Sequence, residues 1–142
     1  MITLALFRKI AADGVAGLVK DTDFFWEEAP LQKNGDPANG VWMVTRGGSS
    51  YDSPKGFNLR ATVDFYVAFP NRVKTEAVQE TLLKWILANP SICELNGEVG
   101  GERYSYSNIR LRPTMTPQNM GVTANGNIVK TASAEIIYDL SI

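Results

Sequence analysis

The sequence predicts an α+β domain: a twisted, mainly antiparallel sheet of about four to five strands with two helices packed on one face. Two observations carry this. Apolar residues recur at helical spacing in two segments, near Ile2 to Asp13 and near Thr75 to Ala88. They alternate strictly from Leu59 to Phe69 and again from Thr131 to Ile142, as strand residues do. The order helix, strand, strand, helix, strand, strand lets two helices cover one sheet face only. The opposite face, with Arg60, Thr62, Asp64, Tyr66, Thr131, Ser133, Glu135 and Ile137, is polar without being highly charged. It suits either water or a neighbouring subunit.

Each element has its local reason. The first helix puts Leu4, Phe7, Ile10 and Ala11 on one face, and Gly14 stops it. Gly17 to Lys20 reads as linker or a frayed turn. Phe24-Phe25-Trp26 reads as a short strand or core plug against that helix, or else as an aromatic docking spot. Pro30 to Gly40 is turn chemistry, and Val41 to Arg46 is a short strand apolar enough to be covered on both faces. Pro70-Asn71 breaks the long strand. Thr75 is the expected cap of the second helix, with Glu76 near its positive end. Val78, Leu82, Trp85 and Ile86 form its stripe, with Trp85 and Phe65 expected to join helix to sheet. Asn89-Pro90 ends it. Ser91 to Leu95 is a short strand or irregular edge, and Glu98 to Glu102 a turn. Arg103 to Arg112 alternates again, with Tyr104, Tyr106, Asn108, Arg110 and Arg112 on one side.

Composition bounds the function. The chain's 142 residues, 44% hydrophobic and 20% charged, suit one globular domain over 1–142 with a single core. A formal net charge of −1 provides no strongly basic surface for duplex nucleic acid. No apolar run is long enough to cross a bilayer, and the N-terminal charges follow the apolar residues, the wrong order for a signal peptide. A lone cysteine, Cys93, excludes an intrachain disulfide, fits a reducing cytoplasm and has no basic sequence neighbour to activate it. The absence of histidine removes the common nucleophile triads, the commonest general base and most zinc and iron sites. No phosphate-binding glycine motif occurs. Glu27-Glu28 is the densest acidic pair, but adjacent side chains diverge, so it reads as solvated surface rather than an acid/base couple. No catalytic, cofactor-binding or metal residue is expected, and the chain reads as no enzyme.

Two long segments without periodicity, near 47–57 and 113–130, then carry the functional reading, because compact domains keep such loops mostly where they work. The first is rich in glycine and serine and reads as an arm that reaches another subunit. Its large side chains Tyr51 and Phe57 are natural anchors, with Asp52 and Lys55 placed to pair across an interface. In the second, Met115 and Met120 join Val122 and Ile128 as apolar residues that a solvated loop does not need. Arg110 and Arg112 complete the candidate interface. The tyrosines and arginines of 103–112 read as an exposed sheet face pairing with Asp and Glu neighbours, and also fit a stacking platform for single-stranded nucleic acid.

The run Gly40-Val41-Trp42-Met43-Val44-Thr45-Arg46-Gly47-Gly48, a polar loop, the alternating strand Leu59 to Phe69, then Pro-Asn and a helix, resembles the tail terminator proteins of lambda-like long-tailed bacteriophages. Phe24-Phe25 matches that family's aromatic stretch after the first helix, and Ala134 to Leu140 its closing strand. The likeness spans nearly the whole chain in order and length, and rests on pattern rather than on any diagnostic motif. The longer, more basic region between Gly100 and Lys130 departs from it. The resemblance implies a structural virion protein, assembled in the host cytoplasm. It implies a homo-hexameric ring that caps the tail tube protein and offers a surface to the head-completion or connector protein. DNA passes through the lumen without sequence-specific binding, no cofactor or membrane is involved, and the loops order in the ring. Another neck or head-completion (minor capsid) protein is the alternative, with a single-strand nucleic-acid-binding module behind it.

Overall fold

Ile2-Thr3-Leu4-Ala5-Leu6-Phe7 is apolar around the whole helical circumference, apart from one hydroxyl. A helix of that kind must be enclosed rather than laid on a surface. The computed structural model describes residues 1–27, 39–46, 50–51, 56–122 and 128–141, with the backbone alone for 50–51 and 115–122. In it, helix α1 (Ile2–Ala12) buries all of Ile2 through Phe7 and also Ile10. The remaining elements are β1 (Phe24–Trp26), β2 (Gly40–Thr45), β3 (Ser50–Tyr51), β4 (Leu59–Phe69), helix α2 (Arg72–Ala88), β5 (Ser91–Val99), β6 (Glu102–Val122) and β7 (Ile128–Leu140). A 3₁₀ turn at Val15–Gly17 follows α1.

The fold is α+β, with both helices on the inner face of one sheet. The seven-stranded sheet runs β1-β2-β4-β7-β6-β5, with β3 attached to β4. Strand count therefore exceeds the expected four to five, and one pair, β1 with β2, is parallel. The sheet curls around α1. At one end the Thr3 and Thr45 hydroxyls share a hydrogen bond of 2.9 Å, reaching β2. The Phe7 ring meets Phe24 of β1 at 4.4 Å. At the other end Arg8 Nη1 donates to the Glu98 carbonyl of β5 at 2.8 Å. One three-turn helix thus touches both margins of the sheet.

Strand β4 is the spine. Its odd residues from Leu59 to Phe69 all face the core, as the alternation predicts, and it pairs with β2 on one side and β7 on the other. Helix α2 lies over β4, β7 and β6 and buries Val78, Leu82 and Ile86. Its cap is Asn71, whose side chain accepts from the amides of Val73 at 2.8 Å and Lys74 at 3.3 Å. The expected cap, Thr75, lies inside the helix. Its hydroxyl is buried against the Phe69 backbone, accepting from the amide at 3.1 Å. Trp85 is only half-buried, and its indole N–H reaches Asp13 at the end of α1 at 3.2 Å. Phe65 is fully buried as expected, and Trp85 packs against the margin of the core, while Val78, Leu82 and Ile86 are seated within it.

The largest correction concerns 113–130. Its described part is strand, not loop: β6 continues to Val122 and β7 begins at Ile128. Register shifts after Pro113, Met115 and Asn119 break the period that a regular strand would display. In the first loop, Ser50–Tyr51 pairs with Arg60 and Leu59, while 47–49 and 52–55 lie outside the described residues. Ser91 to Val99 is one full strand. It joins β6 through Gly100-Gly101, both at positive φ (57 and 84), the requirement of a tight two-residue hairpin. Gly40 is required for a different reason. A Cβ there would lie 2.4 Å from the Asp23 carbonyl oxygen.

Two predictions follow from the core. Phe7→Ala should cost about 3–5 kcal/mol, and Trp85→Ala less because that ring is only partly buried; urea denaturation measures both. The second concerns the inner tyrosine cluster, where Tyr106 packs edge-on against Tyr138 at 5.2 Å and near Tyr104 at 5.9 Å. Burial, reinforced by Tyr138 and Tyr104, raises the Tyr106 phenol from 10.0 to about 12. Between those values the unfolded chain releases a proton that the native chain keeps, so stability should fall as pH rises through that window. Tyr106→Phe should flatten the fall, read as melting temperature against pH; an equally steep fall in the variant would show the shift to lie elsewhere.

Candidate functional site

Alternation sends the even residues of β2 and β4 and the odd residues of β7 to the outer face, and the strand register aligns them in rows. Phe25, Trp42, Tyr66 and Thr131 form one row, and Val44, Asp64 and Ser133 the next. Thr62, Glu135 and Arg112 follow, then Arg60, Ile137 and Arg110. Aromatic residues thus occupy one end of the face and arginines the other. The Trp42 and Tyr66 rings stack at 5.5 Å and 11°. Among the described residues, no helix or strand packs over this face.

Its charges are layered. Arg46 Nε lies 3.2 Å from Asp64, whose other oxygen accepts from Ser133 Oγ at 2.6 Å. Glu135 holds Arg60 at 3.3 Å and Arg112 at 2.9 Å. Arg110 is 3.9 Å from Asp139 and donates to Asn58 Oδ1 at 2.9 Å. The carboxylate side chains are only 11%, 17% and 15% exposed for Asp64, Glu135 and Asp139, whereas those of Arg46, Arg60, Arg110 and Arg112 are 49%, 39%, 39% and 64% exposed. An approaching molecule meets guanidinium, with the neutralising acids beneath. Exposed ion pairs contribute little to stability, about 0–1 kcal/mol each. Their effect here is to hold the arginine forks in place.

A bulge brings Arg110 and Arg112 to this face. Ser107 pairs with Asp139 and Arg110 with Ile137, so β6 spends one residue more than β7 between those pairs. Asn108 takes up the excess at φ 51. Before it, Tyr104 and Tyr106 are buried in the core; after it, Ile109 and Leu111 are. The expected single row from Tyr104 to Arg112 is therefore split, with tyrosines inward and arginines outward, and a platform of interleaved rings and cations does not form there. Asp139 secures the bulge. It accepts from the Asn58 amide at 2.9 Å and from Asn108 Nδ2 at 3.2 Å, and Asn58 is also left-handed, at φ 54.

Of the other expected interface residues, Phe57 is exposed beside Gly56, whose carbonyl accepts from the Leu140 amide at 2.9 Å, and Leu140 is exposed too. Tyr51 is in β3 opposite Leu59, and Met115 and Met120 are in β6 with Met115 opposite Ser133; their side chains are outside the described set. Asp52 and Lys55 lie outside the described residues altogether. The sequence placed Glu135 on this face, but Arg46, Trp42 and Asp139 are not among its expected interface residues. The polar row of β4 was the signal that pointed toward them. Glu27 departs from the solvated reading: it is half-buried and accepts from the Thr45 amide at 3.2 Å and from the Thr45 hydroxyl, clamping the end of β2. Phe24-Phe25-Trp26 divides likewise, with Phe24 in the core and Phe25 in the outer aromatic row.

Shallow clefts of 480 and 280 Å³ flank Tyr104 near the β5–β6 hairpin, and neither assembles an acid/base pair. Among the described residues, no group of acidic or cysteine side chains has the arrangement to hold a metal ion. Comparison of the chain with known family models and with curated proteins finds no match.

Asp139→Ala should strand the Asn58 amide and loosen the bulge. The expected loss is about 1–3 kcal/mol, with faster hydrogen exchange at both asparagine amides. Arg46→Ala should stay within about 1 kcal/mol. Paired urea titrations check the contrast, and equal effects would contradict the layered arrangement.

Proposed function

We propose that this chain is a structural virion-assembly protein: a ring-forming tail terminator that caps a phage tail tube and joins it to the head connector. The observation that carries the reading is the outer sheet face, with stacked aromatics at one end and outward guanidinium groups at the other. Tryptophan, tyrosine and arginine are the residues that dominate protein–protein contacts. Element order and length agree with the resemblance to lambda-type terminators. The missing histidine argues against catalysis. In this reading copies of the chain close a homo-hexameric ring in the host cytoplasm, the ring meets the tube on one side and the connector on the other, and DNA passes through the lumen.

A different neck or head-completion protein would use the same face in the same way, and the position of the ring in the particle separates the two. Single-strand binding is less favoured, because the Tyr104 and Tyr106 rings that would stack bases are buried. The test is light scattering of the purified chain across concentration, followed by negative-stain microscopy alone and with tail tubes. Rings, and tubes capped at one end, are expected. A monomer at every concentration that leaves tubes uncapped would overturn the reading.

A further inference from the structure

We infer that the outer sheet face of one copy receives the acidic β5–β6 hairpin of the next copy. The inference rests on the self-assembly reading above and assigns its two surfaces. The receiving face presents four arginines, Arg46, Arg60, Arg110 and Arg112, outward over three less exposed carboxylates, so its complement carries negative charge. This chain has such a surface at the far margin of its sheet. Glu94, Glu98 and Glu102 are all exposed on the β5–β6 hairpin, with Arg103 the exposed cation among them. Of the nearby cations on α1, Arg8 is turned onto the Glu98 carbonyl and the Tyr104 ring, and Lys9 is paired with Asp13.

The hairpin is also shaped to intrude. Its turn is only two residues long, and β5 is the terminal strand of the sheet, paired with β6 alone among the described strands. Pairing of β5 with β5 across a two-fold axis would oppose like charges and is disfavoured. Contact between two different patches is head-to-tail, the type that closes into rings. The stacked Trp42 and Tyr66, at the other end of the same face, supply the apolar anchor that charge pairs alone lack.

Cys93 reports on the contact without any substitution, since it is exposed on β5. In assembled wild-type protein its alkylation by a maleimide should slow by at least about tenfold relative to dilute monomer, as expected when a partner covers the strand. Glu98→Lys, at an exposed position, should weaken assembly by at least about tenfold, the scale of a like-charge contact. Arg112→Ala should do the same, and the two losses together should be less than additive if the residues meet. Circular dichroism checks that each variant folds. Assembly with Cys93 as reactive as in monomer, or assembly indifferent to Glu98→Lys, would overturn this assignment and leave the ring reading standing. A wild-type chain that never assembles would instead overturn both.

Discussion

A helix that is apolar all round has to be surrounded, and the curvature of this sheet follows from that requirement. Phe7 against Phe24, Thr3 against Thr45 and Arg8 against Glu98 tie α1 to strands from both margins of the sheet. With the inner side filled, α2 has room only over β4, β7 and β6, where Val78, Leu82 and Ile86 complete the same core. The outer side receives no helix. Its residues must then be tolerable in water yet ordered, which Asp64, Glu135 and Asp139 accomplish by pairing with the more exposed arginines above them. A bare aromatic face would be an aggregation hazard, and a freely charged one would be a poor docking surface.

The bulge at Asn108 links the two sides. One inserted residue lets the same strand give its first half, Tyr104 and Tyr106, to the core and its second half, Arg110 and Arg112, to the exterior. Backbone in the left-handed region is uncommon for a residue with a side chain. At Asn58 and Asn108 it is held by one carboxylate, Asp139, shared between the start of β4 and the middle of β6.

Local pattern made part of this legible. Leu59 to Phe69 reads off the sequence because its partners lie on both sides and nothing interrupts the period. The α+β class and both helices follow from spacing. Three features did not, each for a physical reason. Thr75 followed by Glu76 imitates a helix start, while the real cap, Asn71, is marked only by the preceding proline. The strand through 113–122 is concealed because each register shift resets the alternation. Arg46, Arg60, Arg110 and Arg112 come together only through the pairing of β2, β4, β7 and β6, and register between distant segments is not written in any one of them. Arg110 and Arg112 could be proposed as interface residues, but their carboxylate partners could not be named.

Strand order carries one more consequence. Among the described strands the one latest in sequence, β7, occupies the middle of the sheet, between β4 and β6. Without it, β1, β2 and β4 pair only among themselves and with β3, β5 pairs only with β6, and no other described strand joins the two groups. The sheet therefore cannot be completed strand by strand along the sequence; it closes only when the insertion of β7 joins the two groups. Until then β4, whose odd residues all face the core, is unpaired along one side, an edge open to mispairing.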